Sequence, residues 1–166
     1  MGAPMKLVDA ILFIFFLIIA IAAPLLDAQT CLPSTIFPDF LIHLKSWYTH
    51  EYGDYLVSEK PHFFIGIVWV ELVLAWPLSI ASLYGIVAGK SWLPTTCLMY
   101  GVSTFTSMGA ILSELVGSGK ASEKLLKMYA PFMGFAVLAI LRGLLPHSQK
   151  SNAVGTRHTV AKKKRV

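Results

Sequence analysis

The stretch FFIGIVWVELVLAW, residues 63–76, determines the fold class, because it is long and apolar and contains one charged side chain, Glu71. Such a run is typical of a membrane helix, in which a carboxylate at mid-depth costs about 2.5–3.5 kcal/mol on insertion scales. A residue this costly normally faces a cavity or a partner. A second carboxylate, Asp27, ends another apolar run, residues 7–26. We therefore expect Asp27 and Glu71 to bind something inside the membrane.

The composition extends this reading to the whole chain of 166 residues, which is 55% hydrophobic. Its four long apolar runs cover residues 7–26, 63–86, 93–116 and 128–145, and each approaches the ~20 residues that cross a ~30 Å hydrocarbon core. Lipid cannot satisfy free backbone groups, and four strands are too few for a closed barrel. The sequence predicts an all-α, four-transmembrane-helix bundle that forms one domain over residues 1–146.

The first apolar run also has some features of a secretory signal peptide. Lys6 precedes it, and small residues stand at Ala20, Ala22 and Ala23. The run is longer than the 7–15 apolar residues usual in a cleaved signal. A retained span is the favoured interpretation, and a cleaved signal is the alternative.

Basic residues predict the orientation of the chain in the membrane. Four spans place both termini and the loop at Gly89-Lys90 on one side, together with nine lysines and arginines, against five on the other. Because cytosolic loops carry the excess of Lys and Arg, both termini are predicted to be cytosolic. Arg142, near the end of the fourth span, is expected to extend to the cytosolic surface.

The basic tail, residues 147–166, is polar and without apolar periodicity, so we expect it to be disordered. It carries much of the net charge of +5, which therefore needs no nucleic-acid partner. The tail can serve orientation and contact with anionic lipid. Lys163 and Lys164 also match a dilysine retrieval signal, which coat proteins read on a cytosolic terminus. This predicts a multi-pass protein of the endoplasmic reticulum membrane.

The segment between the first two spans is predicted to contain a short helix over residues 39–51. One face of this helix carries the apolar and aromatic residues Phe40, Leu44, Trp47 and Tyr48, and the opposite face carries Lys45, Thr49 and His50. A helix with this pattern is predicted to lie at the membrane interface or to form a lumenal cap over the bundle. An aromatic belt without a specific function is the alternative.

Two later features bear on the interior of the bundle. Trp76-Pro77 predicts a kink in the second span, because proline removes a backbone hydrogen bond. The third span is rich in small and hydroxyl residues, which favour close helix packing. Within it Tyr100 and Ser107 are seven residues apart, so they lie on one face and can present hydroxyls to one cavity. Cys31 and Cys97 are predicted to lie apart, without a disulfide, a metal site or a cofactor.

The chemistry follows if Asp27 and Glu71 meet in an apolar cavity. They would share one proton and retain one negative charge at neutral pH. Such a site suits a monocationic amine on an apolar body, or the hydroxyl group of a sterol. The difficulty is depth, since Glu71 lies roughly 12 Å beyond Phe63 at the helical rise. An exposed helix end for Asp27 and a structural role for Glu71 are the alternatives.

The chain resembles the sigma-2 receptor branch of the EXPERA-domain family, as a distant eukaryotic relative. The likeness spans nearly the whole chain and rests on the order and spacing of six short motifs: residues 1–4 (MGAP), 26–33 (LDAQ followed by LP), 45–48 (KSWY), 71–73 (ELV), 111–113 (ILS) and 129–131 (YAP). The resemblance implies that Asp27 binds a ligand amine, that Glu71 hydrogen-bonds to Asp27, that Tyr48, Tyr100 and Ser107 line the pocket, and that Asp54 supports the lumenal cap. It also implies a homodimer.

The same resemblance supplies a rival function, because the family includes the emopamil-binding sterol isomerases. They move a ring double bond by proton transfer, and a histidine one turn before the second-span glutamate is expected among their donors. Here that position is Ile67, and the nearest preceding histidine is His62. We expect a binding protein for sterols and cationic amphiphilic amines in sterol and lipid homeostasis, not an enzyme. A sterol isomerase and a packing subunit without a ligand are the alternatives.

Overall fold

The structure, a computed structural model, describes residues 3–145, and every regular element within that range is a helix. The predictions about Lys163, Lys164 and the tail 147–166 lie outside the described residues. The longer elements are α1 (Ala3–Leu25), α2 (Asp39–Tyr52), α3 (Tyr55–Glu59), α4 (His62–Val70), α5 (Trp76–Val87), α6 (Leu93–Gly117) and α7 (Glu123–Leu144). A π-helical turn, Glu71–Ala75, joins α4 to α5, and short 3₁₀ turns cover Asp27–Thr30 and Ser34–Ile36. The predicted all-α class is confirmed.

Three segments of the described chain are long and apolar enough to cross a membrane: Met5–Thr30, His62–Val87 and Glu123–Leu144. They expose large apolar side chains such as Ile14 and Val73, as expected of surfaces that meet lipid. The chain is therefore a membrane protein. Helix α6, with 25 residues, is long enough to span, but its hydroxyl residues lower its hydropathy, and its crossing stays a prediction.

Glycines in the last two long helices allow them to approach closely. A Cβ atom added at Gly101 would lie 2.8 Å from the carbonyl oxygen of Ala136, and one added at Gly143 would lie 2.6 Å from the Cβ of Leu98. Neither position can accept a larger side chain without moving a helix. Helix α7 consequently packs along α6, while α1 packs along α5.

The core has two parts along the length of the bundle. One contains an aromatic cluster in which Phe15 stacks on Phe135 at 4.4 Å and Phe16 meets Tyr100 edge-on at 5.0 Å between ring centroids. The other gathers buried aliphatic and aromatic residues of α3, α4, α6 and α7 beneath the connection 26–61: Leu56, Phe64, Val68, Ile111, Leu115 and Leu125. The space between α1, α4 and α6 is left for the site described below.

Arg142 does not extend to the surface, so that expectation is wrong. The residue is 1% exposed, and its guanidinium pairs with the carboxylate of Asp9 on α1, with Nη2 donating to Oδ2 at 3.3 Å. The physical reason is that Asp9 lies beside α7 at the same depth. A buried charge with a partner in place is retained inside the bundle, whereas an unpaired one would be driven to water.

The predicted helix over 39–51 is observed as α2, one residue longer. It ends at Gly53, whose φ of 63° is left-handed, a conformation that glycine adopts without strain. Asp54 then caps the start of α3, since its side chain accepts a hydrogen bond from the backbone N–H of Val57. This sharp turn places α2 and α3 beside the ends of the long helices.

Candidate functional site

A cavity of about 380 Å³ lies between α1, α2, α4, α6 and α7. This volume is within the range of small-molecule pockets. Most of its wall is apolar and includes Ile18, Leu26, Phe64, Val68, Met108, Ile111 and Phe132. The polar and charged groups in the wall are few: Asp27, Thr30, Lys45, Tyr48, Glu71, Ser103, Thr104, Ser107 and Tyr129. An apolar chamber with a small set of polar groups suits a mostly apolar ligand with one polar end.

The structure places Asp27 and Glu71 in the wall of this one cavity. Asp27 begins the 3₁₀ turn after α1, and Glu71 begins the π turn after α4. Within the described chain, neither carboxylate forms a hydrogen bond or an ion pair with another side chain, so their oxygen atoms are left to the cavity. Two carboxylates without protein partners in an apolar chamber are a strong site for a cation or a hydroxyl donor.

A contact between α1 and α5 accounts for the similar depth of Asp27 and Glu71 in the bundle. The indole N–H of Trp76 donates to the backbone oxygen of Ala20 at 3.0 Å. Because α1 and α5 run in opposite directions, Asp27 and Glu71 lie on the same side of this contact, seven and five residues away. At about 1.5 Å per residue they therefore come within about one helical turn of the same level.

A π turn, Glu71–Ala75, precedes Pro77, where the sequence predicted a kink. The backbone N–H of Trp76 donates to the oxygen of Glu71, five residues back, and Pro77 has no N–H to continue a regular helix. A π turn inserts one extra residue into the helix and is frequent at functional sites. Its first residue is Glu71, which lines the cavity.

Gln29 holds the turn that carries Asp27. Its side-chain amide donates to the backbone oxygen of Leu25 at 2.7 Å and of Leu41 at 3.3 Å. Gln29 is itself buried. The end of α1 is therefore tied to α2, and the position of Asp27 does not depend on its own carboxylate.

Asp54 lies behind the cavity wall and holds two tyrosines that line it. Its carboxylate, 1% exposed, accepts hydrogen bonds from the hydroxyl groups of Tyr48 at 3.0 Å and Tyr129 at 2.8 Å. Burial, and then the charge of Asp54, raises the pKa of Tyr48 well above its usual range. Tyr48 therefore keeps its proton, and α2, α3 and α7 are linked at one point.

Of the two hydroxyl residues of α6 that were predicted to line the pocket, one lies in the cavity wall and the other lies behind it. Ser107 lines the cavity, whereas Tyr100 lies behind the wall, 1% exposed and packed against Phe15 and Phe16. The seven-residue spacing places both on one side of α6, but it does not decide how far each side chain reaches.

Lys45 was expected on the polar face of α2, yet its side chain lines the cavity. Its Nζ donates to the hydroxyl of Thr30 at 3.2 Å. Burial, and then the nearby charge of Lys60, lowers the pKa of Lys45 to about 8. Sequence reasoning missed Lys45, Thr30 and Tyr129 as site residues. The available signal was spacing, since Lys45 stands three residues before Tyr48 and so shares its side of the helix.

Ile67 also lines the cavity, at the position where a histidine was considered for isomerase chemistry. His62, at the start of α4, is exposed. Both cysteines, Cys31 and Cys97, are free thiols, and the described residues contain no cluster of His, Cys, Asp and Glu that would hold a metal. The titratable groups in the cavity wall are thus carboxylates, tyrosines and one lysine.

Comparison with known proteins gives a consistent family. A model of EXPERA (EXPanded EBP superfamily) matches residues 40–143, more than half of the chain. The chain is 28% identical over 151 residues to sigma intracellular receptor 2 of Homo sapiens, covering 80% of this chain and 86% of that protein. It is 26% identical over 149 residues to the protein of the same name from Xenopus tropicalis, covering 82% and 87%. The resemblance found in the sequence is confirmed.

Proposed function

The chain belongs to the EXPERA family, and we propose that it is an intramembrane binding protein for sterols and cationic amphiphilic amines. The observation that carries the proposal is the apolar cavity of about 380 Å³ with two carboxylates in its wall and no protein partner for either among the described residues. We propose that the protein acts in sterol and lipid homeostasis at the endoplasmic reticulum, as a receptor and not as an enzyme.

The polar part and the apolar part of the cavity wall bind different parts of the ligand. The ammonium group of an amine, or the hydroxyl of a sterol, donates to Asp27, and in the occupied cavity Glu71 shares a proton with Asp27 and orients it toward the ligand. The apolar body packs against residues such as Phe64, Val68 and Phe132. Tyr48 and Tyr129 also line the cavity, and aromatic rings in the wall of a binding site favour a cation further.

The absence of a histidine from the described cavity wall supports binding over isomerase chemistry. Proton transfer between two ring carbons needs a donor and an acceptor that face each other across the substrate. Here Ile67 occupies the candidate donor position, and Asp27 and Glu71 lie at one level. We expect expression of the chain in isomerase-deficient cells to leave their sterol profile unchanged. A restored profile would overturn the non-catalytic proposal.

Topology completes the proposal. Helix α6 is the third of four spans, both termini are cytosolic, and α2 with α3 forms a lumenal cap over the cavity mouth. Residence in the endoplasmic reticulum would depend on Lys163 and Lys164, read by coat proteins. The small residues of α6 are compatible with a homodimer.

Competition binding tests the central claim. The full chain, purified in lipid nanodiscs, is titrated with a fluorescent sterol and then with a lipophilic tertiary amine. We expect mutual displacement, because both ligands need Asp27 and the same apolar wall. Binding of neither ligand, or binding of both at once without displacement, would overturn a single shared site.

A further inference from the structure

Lys45 gives the cavity a positive group that the proposed amine ligands do not need. We propose that Lys45 is a second recognition point, which donates to an acceptor oxygen of the ligand. The preferred ligands then carry a donor and an acceptor together at one polar end, as in alcohols, hydroxylated sterols and amino alcohols. This proposal rests on the proposed binding function and specifies its ligand class.

The geometry separates the lysine from the carboxylates while keeping both in the cavity wall. Lys45 projects from α2, and Asp27 projects from the turn after α1. The ammonium of Lys45 donates to Thr30, which is 6% exposed and lies in the same turn as Asp27. Lys45 forms no ion pair with any described carboxylate. An ammonium group has three donors, and the bond to Thr30 uses one of them.

Charged and titratable groups surround Lys45 from several elements. Asp27 and Asp54 are the nearby carboxyl groups, and Lys60 and Cys31 are the other titratable neighbours. Lys60 does not line the cavity, since its ammonium is directed to the backbone oxygen of Gln29 at 3.5 Å. With its pKa lowered to about 8, Lys45 is still mostly protonated at neutral pH and remains a donor.

Opposite charges held apart in one apolar cavity discriminate between ligands. A hydroxyl group both donates and accepts, so one hydroxyl can donate to Asp27 and accept from Lys45. An amine without oxygen donates to Asp27, but its positive charge is repelled by Lys45. It also leaves the remaining donors of the Lys45 ammonium group without a partner. Because an unpartnered buried donor is unfavourable, the cavity should prefer the hydroxyl-bearing ligand.

A matched pair of probes tests this preference: N,N-dimethylhexadecylamine and its 2-hydroxy analogue, with the full chain in nanodiscs. Replacing Lys45 with methionine keeps most of the length of the side chain and removes its charge and donors. We expect the hydroxy analogue to bind about ten-fold more weakly, the scale of one charged hydrogen bond, and the plain amine to bind several-fold more tightly. Lys127→Met is the matched control, because Lys127 is exposed, pairs with Glu123 and does not line the cavity, and it should change both affinities less than two-fold.

The signs of the two changes separate recognition from a structural role. Equal losses for both probes, or no change for either, would overturn the role of Lys45. Lys45→Gln repeats the test if the methionine variant does not fold. If wild-type chain binds neither probe, the binding function itself fails. If both probes need Asp27 for binding but their affinities do not change when Lys45 is replaced, only this inference fails.

Discussion

Replacing Asp27 with asparagine removes one charge from the cavity wall and keeps the shape of the side chain. The Asp27 carboxylate has no hydrogen-bond partner among the described residues, and Gln29 holds the turn independently. The change should therefore leave the fold intact. A charged hydrogen bond contributes about 1.5–3 kcal/mol, so an amine ligand should bind about 10- to 150-fold more weakly. A neutral sterol should lose less, because it brings no positive charge.

Glu71→Gln should also weaken amine binding, because the amide cannot share a proton with Asp27. If the two carboxylates act as a unit, the double variant should lose clearly less than the sum of the single losses. The assay is equilibrium binding of a radiolabelled lipophilic amine to the purified full chain, with thermal unfolding followed in parallel.

Asp39→Asn is the matched control for loss of a carboxylate. Asp39 begins α2, is exposed and does not line the cavity. The Asp39→Asn variant should therefore bind the amine with the affinity of the wild type. Strictly additive losses for Asp27 and Glu71 would show that the two groups do not cooperate. Full amine affinity after Asp27→Asn would refute the assignment of Asp27 as the anchor.

Three further predictions concern packing, pH and localisation. Gly143→Ala should lower the free energy of unfolding by about 1–3 kcal/mol, because the added methyl group would overlap Leu98. Gly109→Ala, whose methyl group would meet open space, is the control. Equal unfolding temperatures for the two variants would contradict close packing of α6 on α7. Binding of N,N-dimethylhexadecylamine should strengthen between pH 7 and 9, because Lys45 loses its charge near its pKa of about 8. The affinity of the wild type and of Lys45→Met is measured across this pH range, and the same pH dependence in both proteins would exclude Lys45. Replacing Lys163 and Lys164 with serine should let the protein leave the endoplasmic reticulum, seen by microscopy, and unchanged localisation would leave the tail to orientation or lipid contact.

The family, the helical class and the two carboxylates could be predicted from the sequence. Hydropathy identifies long helices because lipid imposes one requirement on every residue of a span. Glu71 is conspicuous for the same reason, since an unpaired charge within an apolar run is costly wherever that run lies in the membrane. The helix over 39–51 was predictable from periodicity and from the glycine that ends it.

Other features depended on which helices pack together. Asp9 and Arg142 are 133 residues apart, and the direct contact of α1 with α7 turned an expected surface arginine into a buried ion pair. Lys45 lies in the cavity because Thr30 accepts its hydrogen bond, and Tyr129 lies there because Asp54 of another element accepts its own. The π turn at Glu71 likewise formed one turn before the proline that the sequence marks.

The sequence by itself determined which residues are apolar, which are charged and how often they recur along a helix. These quantities are local, because they depend on the chain and on the lipid that surrounds it. The tertiary structure alone decided that Asp27, Glu71 and Lys45 line one cavity while Tyr100 lies behind its wall. The physical reason is that the depth, rotation and approach of each helix are set by contacts between distant residues, and no local pattern records those contacts.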